Sequence, residues 1–366
     1  MSVPGIETVE ACDRDRFDAF VGGAQHGDFL QSWAWGDLKA RMGWRPHRLW
    51  WREGDRIRAS VSLLERPLPF AGRSLFYAPR GPVLPWEEEE TCRGWFSALG
   101  AYVRERRGIL LKCDPDLAES EWGPDGLRPL GLRPARRRGR FEGLQPRHVG
   151  RIRVDRPLTE IVDGFTPKCR YNIRLAQRRR VEVREGRRED VARFHELLRE
   201  TARRDGFHVR PRAYLEALWE VTCQRGHGRL LLAQWEGEVL AGIWLVRLGR
   251  KVDYLYGASS SRRRELMPNY ALQWAAIRWA HESGAGIYDF LGLPPREEPG
   301  NPINGLLRFK RGFGAEVTSF VGEYDLVVGP VGYALWRVAD PVLARAMILG
   351  AWARDRLERP RGRQGA

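Results

Sequence analysis

The sequence predicts an α+β chain in which one unit is repeated in tandem, and three observations predict it. Two segments share an order of events: "WREGDRIRASVSLLERPLPFAGRSLFYAPRGPVL" (Trp51–Leu84) and "QWEGEVLAGIWLVRLGRKVDYLYGASSS" (Gln234–Ser261). Each runs through Glu-Gly, a β-rich stretch, a turn, and a second β-rich stretch that ends at a tyrosine. The spacing is nearly constant: Gly54 and Gly237 lie 183 apart, Tyr77 and Tyr256 179 apart, and Trp95 and Trp274 again 179 apart. Each segment is then followed by apolar residues at helical spacing closed by glycine (Thr91–Gly108 and Asn269–Gly286) and by a short strand, "ILLKCD" or "IYDFLG".

The remaining elements fall around these. Helices are expected before the hairpins near Phe29–Met42 and Val191–Arg204, with another near Pro211–Arg225. The linker is placed near Gly139–Asp155. The order of helix, antiparallel hairpin, central strand, helix and strand resembles the acyltransferase fold of the GNAT superfamily, with mixed twisted sheets flanked by helices. Two GNAT-like domains are therefore expected: residues 1–150 together with about 320–358, and residues 151–319. The last helix, roughly Val331–Leu357, is expected to fold back on the first domain, and the Arg/Gly tail 359–366 to be disordered. A chain of 366 residues, 43% of them hydrophobic and 15 of them Trp, has material for two cores of that size.

Composition narrows the function classes. Five scattered cysteines form no C-x-x-C pair and no Cys/His cluster, which argues against a disulfide framework and a metal site. The N-terminus lacks a basic region followed by an apolar run, and no apolar stretch is long enough to span a bilayer. A soluble, cytoplasmic monomer is expected. The net charge of +15 favours anionic partners such as nucleic acid, nucleotides or an anionic membrane surface. Only five of the 62 basic residues are lysine: Lys39, Lys112, Lys168, Lys251 and Lys310.

Coenzyme A is an unsuitable acyl donor. Backbone N–H groups approach a pyrophosphate only where side chains are absent. The second repeat's loop, "SSSRRRELMPNY", has no glycine, and the first repeat's, "APRGPVLPWEEEE", runs into four acidic residues. No cofactor is expected.

Five stretches carry a family resemblance in register from about residue 29 to 325: "FLQSWAWGDLKARMGWRPHRL", "YAPRGPVL", "KCRYNIRLAQRRRVEVREG", "RRDGFHVRPRAYLEAL" and "GLLRFKRGFGAEV". Together they resemble the Fem-type peptidyltransferases, the FemABX family. That resemblance implies two GNAT-like domains and transfer of an amino acid (Gly, Ala or Ser) from aminoacyl-tRNA. The acceptor would be the side-chain amine of a peptidoglycan precursor's stem peptide, UDP-MurNAc-pentapeptide or lipid II. It implies that Lys39, Arg210 and Tyr214 bind the precursor, that Tyr77, Arg80, Tyr254 and Tyr256 line its cleft, and that Phe309 and Lys310 act at the tRNA acceptor end. Period two would put Tyr254 and Tyr256 on one sheet face. Where family members carry an acidic residue after the "YAPRGPV" motif, this chain has Pro85. The helical arm that some members insert between domains is also missing. Lys168, Arg170 and Arg174 lie in a basic stretch suited either to RNA phosphates or to solvent.

The ester of aminoacyl-tRNA is already activated, so the chain needs no covalent nucleophile, and none is recognisable. It must position amine and ester, remove a proton from the ammonium and stabilise an oxyanion. Lys310 is the candidate for the last task. Asp289 is either a general base at a strand end or a hydrogen-bonded structural residue. Two other classes stay open: a GNAT-fold acyltransferase with a lipid, protein or small-molecule acceptor, and a non-catalytic RNA- or membrane-binding protein.

Overall fold

A computed structural model describes residues 5–68, 72–123, 126–136, 142–294, 296–297, 299–300 and 303–338. The first unit starts with β1 (Glu7–Thr8), α1 (Arg14–Gly23) and α2 (Trp33–Ala40). Ser32 accepts the Trp35 N–H and so caps α2. Strands β2 (Arg45–Glu53) and β3 (Arg56–Pro67) form a hairpin whose turn uses Gly54 at a φ of +59°. Next come β4 (Ser74–Ala78), α3 (Glu89–Glu105), β5 (Gly108–Cys113), α4 (Glu119–Trp122) and β6 (Arg133–Pro134).

Strand β7 (His148–Arg153) leads into the second unit: α5 (Leu158–Asp163), α6 (Pro167–Arg178), β8 (Glu182–Glu185), α7 (Asp190–Asp205) and α8 (Arg212–Val221). The repeated core follows as β9 (Gly228–Trp235), β10 (Glu238–Leu248), β11 (Lys251–Ser259), α9 (Pro268–Glu282) and β12 (Ile287–Gly292). Helix α10 (Asn304–Gly312), β13 (Glu316–Ser319) and β14 (Tyr324–Val327) close the series.

The expected duplication is present as two seven-stranded mixed sheets, ordered β1-β2-β3-β4-β5-β14-β6 and β13-β7-β12-β11-β10-β9-β8. The units exchange their last strands. β14, which follows the second unit, pairs antiparallel with β5 of the first. β7, which crosses the boundary expected at residue 150, pairs with β12 and β13 of the second.

Each sheet buries apolar residues on both faces. Trp95, Phe96 and Leu99 of α3 cover one face of the first sheet, and α6 and α9 cover one face of the second. Between the sheets lies a shared layer in which Phe17, Phe29, Trp35 and Leu38 meet Phe194, Leu197, Tyr214 and Trp244. Each such side chain contributes about 1.5–3 kcal/mol on burial, so the units are joined by a core and not by a linker alone. Residues 330–338 are helical, and Tyr333 packs on Ile109 and Leu110 of the first unit. The rest of the expected C-terminal helix and the tail, 339–366, lie outside the described residues.

Candidate active site

Where α2 meets α8, four of the expected site residues come together. Lys39 lies one helical turn after Trp35, which places its Nζ 4.3 Å from the Trp35 ring centre. The same ammonium is 5.8 Å from the Tyr214 ring, and the Arg210 guanidinium is 5.5 Å from that ring. The Tyr256 hydroxyl donates to the Tyr214 hydroxyl at 3.2 Å. Burial pushes the Lys39 pKa down to about 8, with Arg210 adding to the shift. Two cations and two phenols thus converge from both units, a composition suited to an anion bearing an apolar or ring-shaped group. The four-residue spacing predicts one helix face for Arg210 and Tyr214, but α8 begins only at Arg212, so Arg210 reaches the ring from the segment before the helix. Trp35 was not singled out in the sequence, although its spacing from Lys39 was a usable signal.

The second sheet opens beside this cluster. β11 and β12 pair in parallel only at Lys251–Ile287, Val252–Tyr288 and Asp253–Asp289, and beyond these they diverge. Tyr254 and Tyr256 do not share a face. A β-bulge at Trp244/Leu245 leaves Leu255 without a cross-strand partner, so the alternation shifts by one. Tyr254 packs with Phe290 on the α6/α9 side, while Tyr256 joins the layer between the sheets.

Lys310 belongs to α10 and is 3% exposed. Its Nζ donates to the carbonyls of Phe290 at 2.7 Å, Leu291 at 3.1 Å and Gly292 at 2.6 Å. All three ammonium hydrogens are therefore used, and none is left for an oxyanion as the sequence reading required. Burial lowers its pKa to about 7, and Asp289 opposes the shift. The preceding Phe309 is half-buried against Tyr270 (ring centres 5.1 Å) and Phe313 (5.4 Å). Gly312 ends the helix, and Gly314, at a φ of +75°, turns the chain after it.

Asp289 takes the structural alternative. It is 1% exposed, accepts Arg151 Nε at 2.8 Å and accepts the Leu291 N–H at 2.7 Å. Arg151 also donates to Asp116 at 2.6 Å, and Asp116 accepts from Lys251 at 2.7 Å. Lys251 in turn reaches Asp28, so the chain of buried charges ties the units together. This network holds the Asp116 carboxyl well below the usual range. Tyr77 and Arg80 are also buried. The Tyr77 hydroxyl and the Arg80 N–H both donate to Asp114, at 2.7 and 2.6 Å, and the Arg80 side chain donates to the Pro146 carbonyl. Burial pushes Asp114 up to about 7 against the pull of Arg80. This residue went unnoticed in the sequence, though it immediately follows the β5 strand.

On α6, Lys168 and Arg174 are exposed and flank the exposed Tyr171. Arg170 is tied down instead, donating to the carbonyls of Val162, Asp163 and Phe165 at the end of α5. At the loop between β11 and α9, Ser260 and the Ser261 N–H donate to Glu200. A carboxylate thus occupies donors that a phosphate would take. Among the described residues, no group of His, Cys, Asp or Glu is arranged to hold a metal ion, and no helix is long and apolar enough to cross a membrane.

Comparison with known proteins bears on the family and the fold. A model of the FemAB family matches residues 12–128, 137–234 and 225–340. The lipid II:glycine glycyltransferase of Staphylococcus epidermidis (strain RP62A) is 27% identical over 397 residues, covering 90% of this chain and 95% of the relative. The protein of that name from Staphylococcus aureus (strain MRSA252) is 27% identical over 402 residues with the same coverage. Among solved structures, FemX superposes with a TM-score of 0.83 at 23% identity, over 90% of this chain and 99% of FemX. L-PGS from Bacillus licheniformis superposes at 0.52 with 13% identity, over 88% and 95%. These structures establish a shared fold.

Proposed function

This chain belongs to the FemAB family, and from that premise we propose that it is an aminoacyltransferase of peptidoglycan synthesis. It moves an amino acid from aminoacyl-tRNA to the side-chain amine of a precursor's stem peptide. The observation that carries the reading is the convergence of Lys39, Arg210, Tyr214 and Tyr256 from both units beside the splayed strands of the second. The two cations receive the precursor's diphosphate, and the aromatic rings receive its sugar or base.

The first unit, with β14 in its sheet, holds the precursor, and the second unit holds the tRNA end. Phe309 offers a stacking face to the terminal base, and Lys168, Tyr171 and Arg174 meet the backbone. The protein's task is to bring amine and ester together in a dry cleft. Asp289 is committed to Arg151 and Leu291, which favours a route with no protein base, the ammonium losing its proton on desolvation. The exposed Val331, Leu335 and Val338 support a peripheral contact with a membrane surface.

The test is incubation of the purified chain with tRNA charged with radiolabelled Gly, Ala or Ser, with and without UDP-MurNAc-pentapeptide or lipid II. Label is expected on the precursor. Label moving only to a lipid, protein or small amine would replace this reading with a different acceptor. Binding of tRNA without transfer would remove the enzyme reading.

A further inference from the structure

We propose that Asp289 is a positioning residue for Lys310, acting through the backbone kink at Leu291. In a regular strand successive carbonyls point to opposite sides, so three in a row cannot meet at one atom. Here the carbonyls of Phe290, Leu291 and Gly292 all accept from Lys310 Nζ. They can do so because Leu291 has a φ of +55°. A leucine in that conformation is strained because its side chain crowds the following carbonyl, and something local must offset the strain.

Asp289 supplies the offset. Its Oδ1 accepts the Leu291 N–H at 2.7 Å, closing an Asx-type turn over the kink. Its Oδ2 accepts from Arg151, which Asp116 holds from the other side. The carboxylate is therefore clamped before it shapes the turn. One residue does two things: it bends the end of β12 into a carbonyl cradle, and it places a negative charge close to the ammonium seated there. Through the cradle, α10 and its Phe309 are pinned to the wall of the open cleft. The charge network between the units thus sets the position of the proposed tRNA-end surface, a consequence that rests on the function proposed above.

The experiment has two arms, so that failure of the cradle and failure of the function are separable. The first is trace labelling with acetic anhydride, read by mass spectrometry at Lys310 against the exposed Lys168. In the unaltered chain Lys310 should react at least tenfold more slowly than Lys168. Asp289→Ala should raise its reactivity at least tenfold. Asp289→Asn, which keeps an oxygen for the Leu291 N–H, should restore most of the protection. Leu291→Gly placed on Asp289→Ala should also restore part of it, because glycine adopts a positive φ without a side-chain penalty.

The second arm is transfer. Asp289→Ala should lower kcat at least tenfold with the KM for the precursor within twofold, and it should add no further loss to Lys310→Met. Unchanged protection of Lys310 in Asp289→Ala, or full additivity with Lys310→Met, overturns the proposal. If the unaltered chain transfers nothing, the function fails while the labelling arm still decides the cradle.

Discussion

In the first unit β4 stays paired with β5 along all five of its residues, Ser74 to Ala78, whereas in the second β11 leaves β12 after Asp253. The closed end is locked further by Asp114, which accepts from both Tyr77 and Arg80 just beyond the last pair. The open end is held open by the bulge at Leu255 of β11, the kink at Leu291 and the Lys310 ammonium filling the cradle behind it. Element order is the same in both units. A few polar residues at the strand ends decide which copy is scaffold and which is cleft, so duplication supplies the frame while function is written in local hydrogen bonding.

The largest effect is expected at the open end. Lys310→Arg keeps the charge but brings a planar guanidinium to three carbonyls that converge on one atom. Transfer should fall by roughly 100-fold, the usual consequence of a misplaced wall, while affinity for UDP as a probe of the precursor site stays within twofold. Kinetics together with calorimetric titration of UDP would check this. A fully active Arg variant would mean that the cradle does not shape the cleft.

A smaller effect is expected where the two units meet. Lys39 binds an anion as an ammonium, and its pKa is depressed to about 8. UDP carries its full phosphate charge above neutrality, so its affinity should fall about fivefold between pH 7.5 and 9 as that proton is lost. Lys39→Ala should bind UDP about tenfold more weakly at pH 7.5 and lose the pH slope. A slope that survives in the Ala variant would transfer the effect to another group.

The sequence made the duplication legible because strand and helix periodicity, glycines and spacing all repeat. It also flagged Lys39, Arg210 and Tyr214, which meet in space as the resemblance implied. The rarity of lysine was a real signal. Of the five, only Lys168 is exposed, while Lys39, Lys112, Lys251 and Lys310 lie where one compact ammonium meets several oxygens or rings. What they do there was not legible. The role of Lys310 depends on one backbone angle nineteen residues earlier, and the facing of Tyr254 depends on a bulge at Leu255 that only the pairing of β11 with β10 reveals. Asp289 sits in the expected strand, but the partner that commits it, Arg151, comes from the exchanged strand β7. Local pattern cannot report such long-range partners.

The smallest effect sharpens the comparison from the closed side. Asp114 carries a pKa raised to about 7, against 3.8 for an unhindered carboxyl. Between those values the folded chain keeps a proton that the unfolded chain releases. Its contribution to stability therefore falls as pH rises from about 4 to 7 and is constant above that. Asp114→Asn cannot ionise, but its amide must turn an N–H toward either the Tyr77 hydroxyl or the Arg80 N–H, losing one acceptor. Near pH 4 the variant should be less stable by about 1–2 kcal/mol, and the gap should close and then reverse as pH rises toward 7. Urea unfolding at a series of pH values would measure it. A gap that stays constant with pH would mean that Asp114 is ionised throughout. The first unit would then be closed by an ion pair with Arg80 and not by a neutral acid, and its contrast with the charged cradle of the second unit would disappear.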